Sequence, residues 1–378
     1  MKLLYLSYVN MKETSGPSVN ESGFLRGLKN LKYDVHIISG DSTELFNVAS
    51  SSQIFRLIKK IINYISYMLS VLFLLFRKSQ MLDNHLLVMR LGPLPIAESI
   101  LVYFCRPRFV IKTLGSGNIS WNSGLKLLDF IHLKLYKFLS NKCLMIDTVT
   151  ELSKIDIIKS LGIKNESMVQ VIDNGVDTTM FNYKDKIAIR ASYNLNGYKY
   201  ILGYTGNYGS VRGAEEAIRA TANLNDSNIN TGCLVLGFDP NQKKLEELSL
   251  ELGISDKVHF FGSVSFELVP EITSMLDIGF SILPKESSGA SPQKVRQYVA
   301  SGISVISTRG NDNFIEEINC GCLVDYGDMD AINEGVRHII NPEFMPDKKL
   351  INKFVNEKLS SSVGIKMRLK FWSKLYGI

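Results

Sequence analysis

The feature that most restricts this chain is a strand, loop, helix, strand succession completed within its first forty residues. Lys2-Leu3-Leu4-Tyr5-Leu6-Ser7-Tyr8 is a short apolar run that reads as a buried strand, followed by a polar, glycine-containing stretch, Thr14-Ser15-Gly16-Pro17-Ser18. Apolar residues then recur at helical spacing (Phe24, Leu25, Leu28, Leu31), and Asp34-Val35-His36-Ile37-Ile38-Ser39 reads as a second buried strand. Two strands joined through a helix pair in parallel, which argues for a parallel sheet. Further strands are expected at 109–113, 145–149, 169–172, 200–204, 233–236, 258–261, 278–283 and 304–307, with helical stretches between most of them. A second strand–loop–helix opening begins at Tyr200. At 378 residues the chain is too long for one ordinary domain. The expectation is therefore an α/β protein of two doubly wound domains in tandem, joined near 173–182.

Composition narrows the class. Apolar residues make up 45% and charged residues 21%, which excludes disorder, collagen and coiled coil. Five cysteines without paired CxxC sets or histidine clusters argue against a disulfide scaffold or structural zinc, and for a reducing compartment. The net charge of +6 is unevenly placed: residues 1–180 hold 21 Lys+Arg against 14 Asp+Glu, leaving 22 against 23 in the remainder. The positive field belongs to the first half and suits anionic lipid or an anionic acceptor. No dense basic run with interleaved aromatics points to nucleic acid. No basic cluster precedes a long apolar core at the start, so a cleaved signal peptide is not expected.

One stretch departs from the alternation. Residues 61–76 carry no charge and are bracketed by Arg56, Lys59, Lys60 and by Arg77, Lys78. As a helix these residues span ~24 Å, short of the ~30 Å hydrocarbon core of a bilayer. Asn63, Ser66 and Ser70 share one face. The expectation is a helix lying in an anionic membrane interface, with Leu72, Leu74 and Leu75 toward lipid. A helix packed on the protein's own sheet is the alternative.

Two loops could hold an anion. Leu202 to Gly213 is glycine-rich, letting backbone N–H groups approach a phosphate, and a helix follows at Ala214. Gly203, Gly206 and Gly209 fit either the GxxGxxG of short-chain dehydrogenases or a diphosphate site with Arg212 as counter-ion. The dehydrogenase reading also needs a Tyr-x-x-x-Lys pair on a helix, and Tyr8 with Lys12 is the spacing found, in a loop. The second loop, Ser287 to Lys294, runs through Ser291-Pro292 into a helix at 295–301 that ends at Gly302. Lys294 sits in its first turn, where the helix dipole disfavours a cation unless an anion is near.

Val171-Ile172-Asp173-Asn174-Gly175-Val176-Asp177 with Phe181 resembles the interdomain segment of retaining glycosyltransferases of the GT-B fold, group 1 (family 4). The resemblance continues in order through Gly206 to Gly213, Leu234-Val235-Leu236-Gly237, Val258-His259-Phe260-Phe261-Gly262, and Ser291-Pro292-Gln293-Lys294-Val295-Arg296-Gln297-Tyr298-Val299-Ala300-Ser301-Gly302. It is continuous over about 145–330.

The resemblance implies two Rossmann-like domains facing across a cleft. Residues 1–172 would form the acceptor-side and membrane-contact domain, with a C-terminal helix 363–378 packing back on it, and 173–362 the nucleotide-sugar domain. Arg212 would take the place of the family lysine on the donor diphosphate, and Lys294 would supply a second cation. Gly206, Gly209, Ser291 and Pro292 would meet phosphate, His259 and Phe260 would line the base, and Gly16 would lie in the loop that closes over the donor. The departing diphosphate gains charge, so fixed cations and N–H dipoles would be the main catalytic device. Retention implies front-face attack without a protein nucleophile. No metal or other cofactor is implied. The partners would be a nucleotide-sugar donor, a glycan or lipid-linked acceptor, and anionic membrane through 54–78, at the cytoplasmic face of the cell membrane.

The sequence also departs from the family. Asn207 stands where the family has arginine, and Gly289 and Gln297 stand for its paired glutamates. Gln297 can still hydrogen-bond ribose hydroxyls, and Glu286 is the carboxylate nearest Gly289 in sequence. The family's N-domain histidine has no counterpart near Leu114-Gly115. These losses leave a nucleotide-sugar epimerase or a non-catalytic partner of a glycan-assembly complex as alternatives, with an NAD-dependent oxidoreductase further off. Cys320-Gly321-Cys322 reads as an ordinary loop before a strand. His36, His132 and His338 read as packed or surface residues, and His85 as a possible acceptor-side residue.

Overall fold

The computed structural model describes residues 2–9, 16–40, 53–76, 82, 84–113, 119, 122–206, 213–237, 242–284, 292–310 and 312–377. The chain divides into two compact units, residues 1–174 with 364–378, and residues 175–363.

The first unit is built on a six-stranded sheet in the order β2-β1-β3-β4-β5-β6. Its strands are β1 (Lys2–Ser7), β2 (Val35–Ser39), β3 (His85–Arg90), β4 (Phe109–Lys112), β5 (Met145–Thr148) and β6 (Val169–Val171), and neighbours pair in parallel. β3 lies beside β1 at the centre and is not among the expected strands. An unbroken run such as Leu86-Leu87-Val88-Met89 has neither a two-residue nor a 3.6-residue period, so the sequence leaves its element type open. The alternation appears only on folding. Leu3, Tyr5, Leu86 and Val88 pack on one face beneath the Gly16–Asn30 and Ser361–Tyr376 helices, with Phe24, Ile365 and Trp372. Leu4, Leu6, Leu87 and Met89 pack on the other, with Tyr67 and Val71 of the Gln53–Phe73 helix and Leu101 of the Ile96–Cys105 helix. Covering both faces is what buries a parallel sheet.

The second unit repeats the plan with β7 (Tyr200–Thr205), β8 (Thr231–Leu236), β9 (Val258–Gly262), β10 (Ile278–Ser281), β11 (Ser304–Thr308) and β12 (Gly321–Val324), in the order β12-β11-β10-β7-β8-β9. This is the doubly wound order 3-2-1-4-5-6 read from the other edge.

Arg368, on the C-terminal helix, secures the end of the first sheet. Its guanidinium donates to Asp147 Oδ2 at 2.9 Å, Ile172 O at 2.8 Å, Asp173 O at 3.3 Å and Asn174 Oδ1 at 3.1 Å. The backbone comes close enough here that an ideal Cβ on Gly364 would stand 2.2 Å from Asp173 O. Asp147 and Arg368 are both buried, and burial raises the Asp147 carboxyl above the ordinary range despite Arg368 and Lys112 beside it. Replacing Arg368 with Met is expected to lower stability by roughly 3–5 kcal/mol, as the loss of one partner of a buried pair does. Adding Asp147→Asn should recover only part of this, because the Ile172 and Asp173 carbonyls still lack their donor. Urea unfolding of the two variants checks both outcomes.

Candidate active site

In a doubly wound sheet a ligand is received beyond the carboxyl ends of the strands, where the strand order changes direction. In the second sheet that place lies between β7 and β10, because the chain runs outward from β7 to β9 and then returns to continue on the opposite side from β10. β7 and β8 share six register pairs, but β7 and β10 share two, Leu202 with Ile278 and Gly203 with Gly279. The two strands part early.

Tyr298, on the Gln293–Ala300 helix, packs against this parting. An ideal Cβ on Gly279 would stand 2.4 Å from Tyr298 Cδ2, so the ring lies directly on the β10 backbone. A glycine inside a strand often marks such a close approach. The Tyr298 hydroxyl accepts from the Thr205 amide at 2.8 Å and from Thr205 Oγ1 at 3.2 Å. Burial pushes this phenol up to about 12, so it stays neutral as an acceptor for the last residue of β7.

Past Thr205 the strands end in glycines. Gly206 has φ +120°, and its N–H donates to Leu236 O at 2.8 Å. Gly237 has φ +135° and donates to Gly262 O at 2.9 Å, and Gly262 itself has φ +63°. These left-handed values suit glycine, and they end β7, β8 and β9 without side chains.

Lys294 brings a charge to this end. It is half-buried in the first turn of its helix, a turn that holds no acidic residue. The ammonium lies 3.6 Å from the centroid of the Tyr204 ring and donates to the Tyr204 hydroxyl. An ideal Cβ on Gly206 would stand 3.6 Å from Lys294 Nζ, so the cation sits over the end of β7. The same helix is anchored by Arg296, which pairs with Asp312 at 3.1 Å, both buried, and donates to Pro292 O at 3.3 Å. The other helix that starts here, Ala214–Asp226, follows Gly213 at φ +110° and carries Glu215 and Glu216 in its first turn. Burial raises the Glu216 carboxyl. One helix start is therefore acidic and the other basic, and an anion is favoured at the second.

The structure thus brings Gly206 and Lys294 together, with Pro292 before the helix and Gln297, half-buried, one turn beyond Lys294. Arg212, Asn207, Gly209, Glu286, Gly289 and Ser291 lie outside the described residues. His259 is turned elsewhere. Its Nε2 is 3.0 Å from the hydroxyl of Tyr198, which precedes β7, whereas Lys294 stands past that strand's carboxyl end. Burial lowers the His259 imidazole below its usual range despite Asp256. Phe260 packs on the core. Gly16 starts the helix after β1 in the other unit.

Tyr204, Thr205, Tyr298 and Gly279 carry the site's geometry, and in the sequence the signal for it is the glycines inside β7 and β10. His85 opens β3 at its amino end, its ring 5.5 Å from that of His36. None of the five cysteines is in a disulfide, and burial pushes Cys320 up to about 12. Among the described residues no group of three or more His, Cys, Asp or Glu could hold a metal ion.

Residues 185–357, within the second unit, match the family of glycosyl transferases group 1. The chain is 23% identical over 183 residues to N-acetyl-alpha-D-glucosaminyl L-malate synthase of Bacillus anthracis. That match covers 48% of this chain and 46% of the relative, about half the relative's length. Among solved structures, Anabaena Alr3699/HepE in complex with UDP is similar at TM-score 0.70 and 13% identity, over 99% of this chain and 100% of that one. WaaG, a glycosyltransferase involved in lipopolysaccharide biosynthesis, is similar at TM-score 0.67 and 15% identity, over 97% and 98%. The shared fold is GT-B, with two Rossmann-like units.

Gly279→Ala is expected to force the Tyr298 ring off β10 and to lower stability by roughly 1–3 kcal/mol, as overpacking does. A denaturant melt checks this, and unchanged stability would mean that the ring is not held there.

Proposed function

We propose that the chain is a retaining glycosyltransferase that moves a sugar from a UDP- or GDP-sugar to a glycan or lipid-linked acceptor in surface polysaccharide synthesis. The observation that carries this reading is the Lys294 ammonium, held over Gly206 at the carboxyl end of β7 by the Tyr204 ring and hydroxyl. The UDP in the Alr3699/HepE complex and the lipopolysaccharide role of WaaG support the donor and acceptor classes.

As the glycosidic bond of the donor breaks, negative charge grows on the nucleoside diphosphate. In this reading Lys294 exchanges the Tyr204 hydroxyl for a phosphate oxygen of the donor. Charge-assisted hydrogen bonds of that kind are about twice as strong as neutral ones. Arg212 is the second cation in this proposal, and the acid-free start of the Gln293–Ala300 helix adds N–H donors. The acceptor oxygen attacks the anomeric carbon from the face the diphosphate leaves, with no protein nucleophile.

Contact with membrane is part of the proposal. On the Gln53–Phe73 helix Ile61, Ile65, Leu69 and Phe73, four residues apart, are 50%, 51%, 62% and 56% exposed. Water-facing apolar rows of this kind mark interaction surfaces. Asn63, Ser66 and Ser70 are half-buried instead, Leu74 is in the core, and Leu72 and Leu75 pack on it. The lipid-facing row is thus Ile61 to Phe73 rather than Leu72, Leu74 and Leu75. Among the described residues no helix is long and apolar enough to cross a membrane.

Lys294→Ala is expected to slow nucleoside diphosphate release from a panel of UDP- and GDP-sugars by at least about 100-fold, the order seen when one fixed charge-stabilising donor is removed. Arg212→Ala should do the same, with melting temperatures close to that of the parent. Wild-type turnover in both would remove these roles. Ile61→Asp with Ile65→Asp should move the protein from the vesicle pellet to the supernatant.

A further inference from the structure

A groove of about 490 Å³ runs between the edge strand β2 and the Gln53–Phe73 helix. Leu4 of β1 lies in its lining, Ile37 and Ile38 form one wall, and Leu69 and Phe73 lie on the other. His36, Ser66 and Ser70 also line it; the Ser70 hydroxyl is spent on Ser66 O at 2.9 Å, and the His36 ring stands 5.5 Å from that of His85. The groove therefore presents mostly hydrocarbon.

Leu69 and Phe73 belong both to this wall and to the exposed row Ile61, Ile65, Leu69 and Phe73. A surface that meets the bilayer along that row opens the groove to acyl chains rather than to water. Apolar side chains then gain about 25 cal/mol per Å² for each part of the wall a chain covers. The uncharged run 61–76 is bracketed in sequence by Arg56, Lys59 and Lys60 and by Arg77 and Lys78, which suits an anionic headgroup.

We infer that the groove between β2 and the Gln53–Phe73 helix holds one acyl chain of an anionic bilayer phospholipid. The inference rests on the membrane-contact reading for its choice of ligand, and its test is separable from that reading. The lipid chain seats the helix at a fixed depth and rotation, which an exposed apolar row alone does not do.

The probe is palmitoyl-lysophosphatidylglycerol below its critical micelle concentration, so that no membrane is present, followed by native mass spectrometry and calorimetry. The full chain is expected to bind a single lysolipid. Ser70→Trp and Ser66→Phe each fill the groove without changing charge, and should weaken that binding about tenfold or more. Ile61→Asp with Ile65→Asp, outside the groove, should leave it intact. Melting curves show which groove variant is folded, and either one suffices. A parent chain that binds no lysolipid, or folded groove variants that bind it like the parent, would overturn the inference. Sedimentation of the same proteins with phosphatidylglycerol–phosphatidylcholine vesicles tests membrane contact on its own. Lysolipid binding with no vesicle binding keeps the groove and removes the contact.

Discussion

β7 and β10 run side by side for two residue pairs and then separate, and the Tyr298 ring lies against β10 where they do. A parallel sheet whose order reverses cannot bring a connecting segment across the top of both strands, so space is left at their ends. Tyr298 fixes the shape of that space through Thr205, and Gly206 turns the chain away immediately afterwards. Because Tyr298 and Lys294 stand on one helix four residues apart, the residue that holds the strand also sets where the ammonium can reach. Arg296, buried against Asp312, keeps that helix from rotating. The positive charge is thus a consequence of sheet topology and packing as much as of the lysine itself.

The first unit solves a different problem, that of burying charge. Glu21, wholly buried on the first helix, accepts from Tyr5, Arg90 and Lys112. Burial alone would raise its carboxyl, and the two cations outweigh that and hold it below the ordinary range. Arg90 and Lys112 are the last residues of β3 and β4, so the cluster ties the carboxyl ends of two strands to the helix that follows β1. Arg368 does the same for β5 and the segment after β6. Breaking one partner of such a cluster leaves a charge stranded, so losing a single member is costly even where an apolar replacement of the whole cluster would not be.

Much of this architecture can be read from residue pattern. The strand–loop–helix openings at Lys2 and Tyr200 give two parallel sheets, and the glycines near 206 and the Ser-Pro before Lys294 mark the carboxyl end of β7 and the start of the helix that carries the lysine. What the pattern leaves open has physical causes. β3 is buried on both faces, so it has no period to read. Tyr204 and Tyr298 look like ordinary core aromatics, because a hydroxyl's partner depends on which strand the fold sets opposite it. His259 sits within a strand motif, yet its rotamer sends the ring to Tyr198 at the far end. The uncharged run 61–76 announces an apolar helix without saying which side faces out. Tertiary packing of Tyr67 and Val71 decides that, and leaves the isoleucine row exposed.

The most direct measurement is a crystal structure of the protein with UDP or GDP bound. The expected result is a diphosphate beyond the carboxyl end of β7, with a phosphate oxygen about 2.7–2.9 Å from Lys294 Nζ, the spacing of a charge-assisted bond. A nucleotide seated elsewhere, with Lys294 still closed on Tyr204, would contradict the assignment of that lysine to the donor.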